Sequence, residues 1–228
     1  MGKSKVIIVR KAKRKLLLKL KHMLNKPSFE LDKKILSEFL HPEELEAAEH
    51  LGDAEVSKKE LTLFYPGCGL DIVQPLIYSS RIAGKADKIT FILADRDMTA
   101  NDVVSLMLQL TGNHNYSIKR NDPHTETAVF RFKDRTFSFV CKKGNVLESV
   151  PKEIKQGYDV YFERAFELFR ENDDLFMPNM ISLLNKDGLM ITDAGLSRQL
   201  SKDMEKIKLS PKTKELGFYK NLSMYRKK

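Results

Sequence analysis

The chain lacks tryptophan and holds two cysteines, five histidines and no apolar run near the ~20 residues a membrane span needs. Each shortage excludes something. Two thiols, Cys68 and Cys141, cannot staple a disulfide scaffold, so the fold must rest on a hydrophobic core, and reduced thiols of a cytoplasmic protein are expected. The histidines, at 22, 41, 50, 114 and 124, are scattered without metal-ligand spacing, so no zinc or iron site is expected. The N-terminus shows no small-residue cleavage site after a long apolar core, and Val6 stands where a myristoylation signal needs Ser or Thr. Neither a secretory leader nor a myristoyl anchor is expected.

Acid is also missing from one place. Residues 1–26 hold ten cations (Lys3, Lys5, Arg10, Lys11, Lys13, Arg14, Lys15, Lys19, Lys21 and Lys26) and no Asp or Glu. The whole chain has 40 Lys+Arg against 31 Asp+Glu, so residues 27–228 carry 30 cations against 31 acids. The formal charge of +9 therefore belongs to an N-terminal arm and not to the body. Within that arm Leu16, Leu17, Leu20, Met23 and Leu24 share a helical face. A basic amphipathic helix of this kind can bind RNA or DNA, lie on an anionic membrane surface, or pack on the domain with its lysines in water.

What is present fits a soluble globular chain: 42% hydrophobic and 31% charged residues over 228, enough to bury a core. Pro27 separates the arm from a helical extension at 27–59, with one helix at Asp32–Leu40 and a second starting at His41-Pro42-Glu43-Glu44 and stopping at Gly52. From Leu61 the patterns alternate. A strand at 61–66 leads to a helix at 71–83, and a strand at 89–95 to a helix at 99–110. After the polar stretch 113–126, Ala128–Phe132 and Thr136–Val140 alternate around a turn as a hairpin. A strand at Tyr158–Phe162, a helix at Asp174–Leu184 and a strand at Asp187–Asp193 follow. A helix at 197–205 precedes two closing antiparallel strands, Ile207–Leu209 and Phe218–Tyr225. Such alternation predicts an α/β fold, a mostly parallel sheet with helices on both faces and right-handed crossovers.

The most informative stretch is Leu61-Thr-Leu-Phe-Tyr-Pro-Gly67-Cys-Gly69-Leu-Asp71. A buried strand, a tight turn with two glycines and a helix start form the place where open α/β sheets hold ligands, because backbone comes close only where side chains are absent. The run Ile89-Thr-Phe-Ile-Leu-Ala-Asp95 ends in a carboxylate 26 residues after Gly69, placed to accept ribose hydroxyls. A dinucleotide site fits poorly. Ile72 stands where that fingerprint has its third glycine, and a carboxylate at the helix start repels pyrophosphate by roughly 4 kcal/mol at ~4 Å and an effective dielectric near 20.

In these motifs the chain resembles a class I S-adenosylmethionine-dependent methyltransferase over roughly residues 60–228. Pro66-Gly-Cys-Gly69 is similar to the first motif, Ala94-Asp95 to the second and Phe139–Asn145 to the third. Tyr158–Arg164 is similar to the fourth, and Leu183–Ile191 to the entry of the fifth strand. The resemblance implies a Rossmann-like, seven-stranded, mostly parallel sheet with a C-terminal antiparallel hairpin, and S-adenosylmethionine as cofactor. It implies that Asp95, with Arg96 beside it, takes the ribose and that Asn145 lies near adenine. The turn Tyr65, Pro66, Gly67, Cys68 and Gly69, with Asp71, then holds the amino-acid part. Two departures stand out: Tyr65 replaces the first-motif acid and Asp71 replaces the third glycine. Asp71 can cap the helix or face the cofactor's ammonium.

Ligands of such sheets sit beyond the carboxyl ends of the strands, which selects Glu163, Arg164 and Asp193 as catalytic candidates beside the transferred methyl. Phe162-Glu-Arg-Ala-Phe166 lacks the Asn/Asp-Pro-Pro-Tyr/Phe pattern of enzymes that methylate exocyclic base amines, which leaves the acceptor open and that class disfavoured. The altered first motif leaves a second reading: a methyltransferase-like domain without catalysis that engages nucleic acid or protein through its basic arm.

Overall fold

The computed structural model describes residues 51, 54–69, 71–111, 114–132, 134–147, 154, 157–164, 166, 174–193, 195–209, 211–214 and 222–228. The basic arm 1–26 and the helical extension as far as residue 50 lie outside the described residues.

Nine strands form one mixed sheet: β1 (Glu60–Pro66), β2 (Lys88–Asp95), β3 (Tyr116–Asp122), β4 (Thr125–Phe132), β5 (Arg135–Lys143), β6 (Tyr158–Phe162), β7 (Leu184–Thr192), β8 (Met204–Lys206) and β9 (Ser223–Lys227). The helices are α1 (Val73–Ile82), α2 (Ala100–Thr111), α3 (Phe176–Leu183) and the short α4 (Pro211–Lys214). The spatial order is β3-β4-β5-β2-β1-β6-β7-β9-β8. Pairs β5–β2, β2–β1, β1–β6 and β6–β7 are parallel. The outer pairs are antiparallel.

Alternation along the strands builds two cores. Leu61, Leu63 and Tyr65 of β1, with Ile89, Phe91 and Leu93 of β2, pack toward Leu76 and Ile77 of α1 and Val103 and Met107 of α2. Phe64, Tyr158, Tyr161 and Met190 point to the other face and meet Phe176, Met177 and Met180 of α3. All five residues of β6 are buried, as expected of a central strand covered on both faces. At its C-terminus α3 is closed from outside: Lys227 donates to the carbonyls of Ile181 (2.8 Å), Ser182 (3.1 Å) and Leu184 (2.5 Å).

The sheet corrects three expectations. Among the described residues it has nine strands and is mixed, where a seven-stranded and mostly parallel one was expected; one of the strands no pattern announced is β3, in the polar stretch 113–126. Every residue of β3 is exposed, and the short alternation Tyr116-Ser-Ile118-Lys runs into polar residues on both sides. The segment 197–205 is not a helix. Ser197 accepts the Leu200 N–H and the Ser201 hydroxyl donates to Arg198 O, so local hydroxyl bonds hold a run of turns. The closing strand is then Met204–Lys206 in place of 207–209, which buries Met204 in the second core and pairs it with Lys227.

At the amino-terminal end of the sheet a buried carboxylate ties three strands. Asp159 on β6 accepts the Thr62 N–H (2.9 Å) and the Asn185 amide (2.8 Å) and pairs with Lys58 at 2.5 Å. Removing it would strand a backbone donor and a cation together. Lys58 is 41% exposed and reaches water, which limits the loss. Asp159→Ala is expected to destabilise the fold by ~2 kcal/mol, read as a lower urea midpoint at unchanged m-value.

Candidate functional site

The carboxyl ends of the five parallel strands converge, and the strand order reverses there: from β1 the chain proceeds to β2 and β5 on one side and to β6 and β7 on the other. That reversal is the switch point at which open α/β sheets bind ligands.

After Pro66 the chain turns sharply. Gly67 N–H donates to Ala94 O (2.8 Å), fastening the bend to the end of β2. Gly67 and Gly69 have φ of 59° and 54°, the left-handed region that side chains avoid. Their surroundings differ. A Cβ on Gly67 would lie 2.3 Å from Cδ2 of Phe166, so that glycine admits a ring from the segment after β6. A Cβ on Gly69 would meet nothing within 4 Å: this glycine faces open space. Between them Cys68 is buried, its sulfur 3.4 Å from Met98 Sδ, and burial pushes its thiol well above the ordinary range. Cys68 therefore stays protonated and acts as a small core residue.

Asp95, at the tip of β2, reaches back to this bend. Its Oδ2 accepts the Gly69 N–H (2.9 Å) and its Oδ1 the Asp97 N–H (3.2 Å). On its far side Gly144 N–H donates to Asp95 O (3.3 Å), which brings the end of β5 alongside, and Asn145 Oδ1 accepts the Leu147 N–H (3.2 Å). Arg96 follows Asp95 and is exposed.

Asp71 opens α1. It stands one residue before the N-cap, Ile72; its Oδ1 accepts the Gln74 N–H of the first turn (3.1 Å), and its Oδ2 accepts the Tyr65 hydroxyl (3.3 Å). Burial, reinforced by the Asp71 charge, drives the Tyr65 phenol far above its usual range, against an opposing pull from Arg164. Tyr65 is thus a permanent donor that orients Asp71, and Arg164 brings a positive charge from β6 toward the same corner.

Glu163 closes β6. It is 1% exposed, with Tyr161 OH donating to Oε2 at 2.6 Å and the Thr192 hydroxyl donating to Oε1. Its N–H donates to Ile191 O (3.0 Å), so residue 163 ties the ends of β6 and β7 through both backbone and side chain. Asp193, one residue beyond β7, is also buried, whereas Arg164 is half-buried.

The expected residues thus gather at one end of the sheet. Tyr65, Gly67, Cys68, Gly69, Asp71 and Asp95 are joined by direct contacts, with Asn145 at the neighbouring strand end. Glu163, Arg164 and Asp193 stand across the switch point. Sequence reasoning missed Phe166, Tyr161 and Thr192. Phe166 carries no local signal, since its role depends on a glycine 99 positions away. The two hydroxyls lie in apolar strands that read only as core. Among the described residues no cluster of three or more His, Cys, Asp or Glu could hold a metal, and no helix is long and apolar enough to cross a membrane.

No protein-family model and no curated protein sequence matches the chain. Solved structures do. The chain is similar to the precorrin-6y C5,15-methyltransferase of Geobacter metallireducens, at 12% identity and a TM-score of 0.40, over 81% of this chain and 88% of that one. It is similar to a putative class I S-adenosylmethionine-dependent methyltransferase of Listeria monocytogenes at 11% identity and a TM-score of 0.40, over 85% and 64%. A third is the mitomycin 7-O-methyltransferase MmcR, at 12% identity and a TM-score of 0.40, over 86% and 58%. The chain spans less than two thirds of the latter two. All three carry the name methyltransferase, and at these identities no residue's role passes from them to this chain.

Two outcomes follow from the geometry. Gly67→Ala collides with Phe166 and forces a left-handed alanine, so a loss of ~3 kcal/mol is expected, partly restored by adding Phe166→Ala; Gly69→Ala bears only the backbone term, ~1 kcal/mol. Equilibrium unfolding of the three variants and the double variant measures both. The second outcome concerns alkali. Burial, with the charges of Glu126 and Asp102, raises the Cys141 thiol from 9.0 to about 12. A raised folded pKa gives stability that is complete below the unfolded value and lost as pH climbs from about 9 toward 12. Melting temperature should fall over that window, and Cys141→Val should flatten the slope.

Proposed function

We propose that the chain is a class I S-adenosylmethionine-dependent methyltransferase, its acceptor undetermined. The observation that carries the reading is the bond from Gly69 N–H to Asp95, which joins a bare turn facing open space to a carboxylate at the switch point. The donor set fits the cofactor. Asp95 uses one site on each oxygen, and a carboxylate offers about four, so two hydroxyls of a ribose can still be accepted. Asp71 at the start of α1 suits a ligand bearing an ammonium and no phosphate, and Tyr65 keeps that carboxylate aimed. Asn145 would lie near the adenine and Arg96 beside the ribose, while Pro66 to Gly69 would lie against the amino-acid part.

Bound S-adenosylmethionine would supply a methyl group on a positively charged sulfur, open to in-line displacement. The chain's part is position and exclusion of water. Gly69 admits the ligand close to backbone, and Phe166 over Gly67 closes the neighbouring wall. Arg164 and Asp193, at the ends of β6 and β7, are the charged groups we assign to the acceptor side. Glu163, sealed and held by two hydroxyls, keeps those strand ends in register.

Calorimetry with S-adenosylhomocysteine tests the assignment. Saturable binding is expected, weakened at least tenfold (about 1.4 kcal/mol) by Asp95→Ala. Absence of binding at millimolar ligand, or an affinity indifferent to Asp95, would overturn it.

A further inference from the structure

The sheet ends on one side in β3, a seven-residue strand with a single neighbour, β4, and with every residue exposed. Among the described residues no second strand pairs with it. Of the three large hydrophobic side chains exposed among the described residues, two sit here two positions apart, Tyr116 at 39% and Ile118 at 42%. Alternation places them on one face with Arg120, opposite Phe130, Ala128 and Glu126 of β4. A long open edge with apolar side chains is a template for another strand.

The backbone shows which groups are on offer. Asn115 O accepts the Arg131 N–H (3.1 Å), so residue 115 is hydrogen-bonded toward β4. In an antiparallel ladder that role alternates, and the next such pairs are Ser117 with Val129 and Lys119 with Thr127. Tyr116, Ile118 and Arg120 therefore direct their N–H and C=O groups outward, away from the sheet. The irregularity between Arg120 and Asp122 ends the flat segment at 120.

We infer that β3 pairs antiparallel with β3 of a second copy of this chain, on a two-fold axis through Ile118. In that register Ile118 faces its own copy, and Tyr116 faces Arg120 of the second copy in both directions. All three outward residues are used, and each such pair exchanges both N–H···O bonds. Side chains agree with backbone: an apolar pair lies on the axis, flanked by two aromatic–guanidinium pairs on the same face. Ser117 and Lys119 of the opposite copies meet on the other face. The adjacent registers fit less well. Centring on Lys119 sets two lysines opposite each other where side chains are closest, and centring on Ser117 leaves Arg120 without a counterpart. The residues of this edge are thus complementary to themselves in one alignment.

A single strand pair buries less than the ~1,200 Å² of a stable interface, so association in the range of tens of micromolar is expected. Sedimentation velocity of the full chain, from about 2 to 200 µM, should show mass rising from 26.3 kDa toward twice that value. Ile118→Lys, at an exposed position, should hold the chain monomeric throughout. The register has its own test. Paired residues on the axis lie ~5.5 Å apart at Cα, within disulfide reach. Ile118→Cys should therefore cross-link to its copy under mild oxidation and Lys119→Cys should not; the native Cys68 and Cys141 are buried and do not compete. Monomer at every concentration with no Ile118→Cys cross-link would overturn the inference and leave the edge to a foreign strand. Equal or preferential cross-linking of Lys119→Cys would overturn it as well.

Discussion

The contact on which the site depends is the bond between a main-chain N–H at Gly69 and the Asp95 carboxylate. It exists because β1 and β2 are adjacent and parallel, with Pro66 level with Ala94, so that one strand's turn and the next strand's last side chain arrive together. Neither partner would hold its place alone. Gly69 needs a left-handed backbone that the Gly67 N–H to Ala94 bond helps to fix, and Asp95 would swing in solvent without a donor on each oxygen. The same register that buries Leu63 against Phe91 one turn below therefore sets the geometry above. Core packing and ligand geometry are one constraint here.

The two glycines of the bend look equivalent in sequence and are not. Gly67 is small because Phe166 occupies the space, so it serves packing between the first turn and the segment after β6. Gly69 is small where nothing stands, and its left-handed backbone, not a neighbour, is what a side chain there would strain. The two departures from the expected motif, Tyr65 and Asp71, are joined to each other: the Tyr65 hydroxyl at the strand end donates to the Asp71 carboxylate ahead of the helix. Burial guarantees that this hydroxyl remains a donor, because ionising it would place a second negative charge beside the first.

What the sequence disclosed was whatever depended on local pattern. The strands with mostly apolar sequences, β1, β2 and β6, and the helices after β1 and β2 lie within a few residues of where periodicity puts them. Asp95 was legible because a carboxylate closing the apolar run Phe91-Ile-Leu-Ala94 is conspicuous. Two kinds of feature were hidden. β3 is exposed along its whole length, and its only alternation, Tyr116-Ser-Ile118-Lys, gives way to the polar run Arg120-Asn-Asp122, too short a signal to mark a strand. Met204–Lys206 was absorbed into a helical pattern because serines at 197 and 201 lie at helical spacing, although their hydroxyls here hold turns. The Phe166–Gly67 and Glu163–Thr192 contacts were hidden for a different reason: each joins residues far apart in the chain, and only the sheet order brings them together.

The sheet's two edges show how differently the same exposure is managed. β8 is three residues long, and two of them, Glu205 and Lys206, are charged and exposed, which leaves little ladder for another chain to extend. β3 is more than twice that length, flat up to Arg120, and carries Tyr116 and Ile118 on one face. Its cations do not blunt it in the usual way: Lys119 lies on the opposite face, and Arg120 stands where an aromatic ring from an antiparallel copy would lie over it. An edge meant to stay single would gain from a proline or a bulge near its centre, and the one irregularity falls at its end. Among the described residues, then, one edge of the sheet is short and charged and the other long and open, and the Asp95 site lies on strands between them.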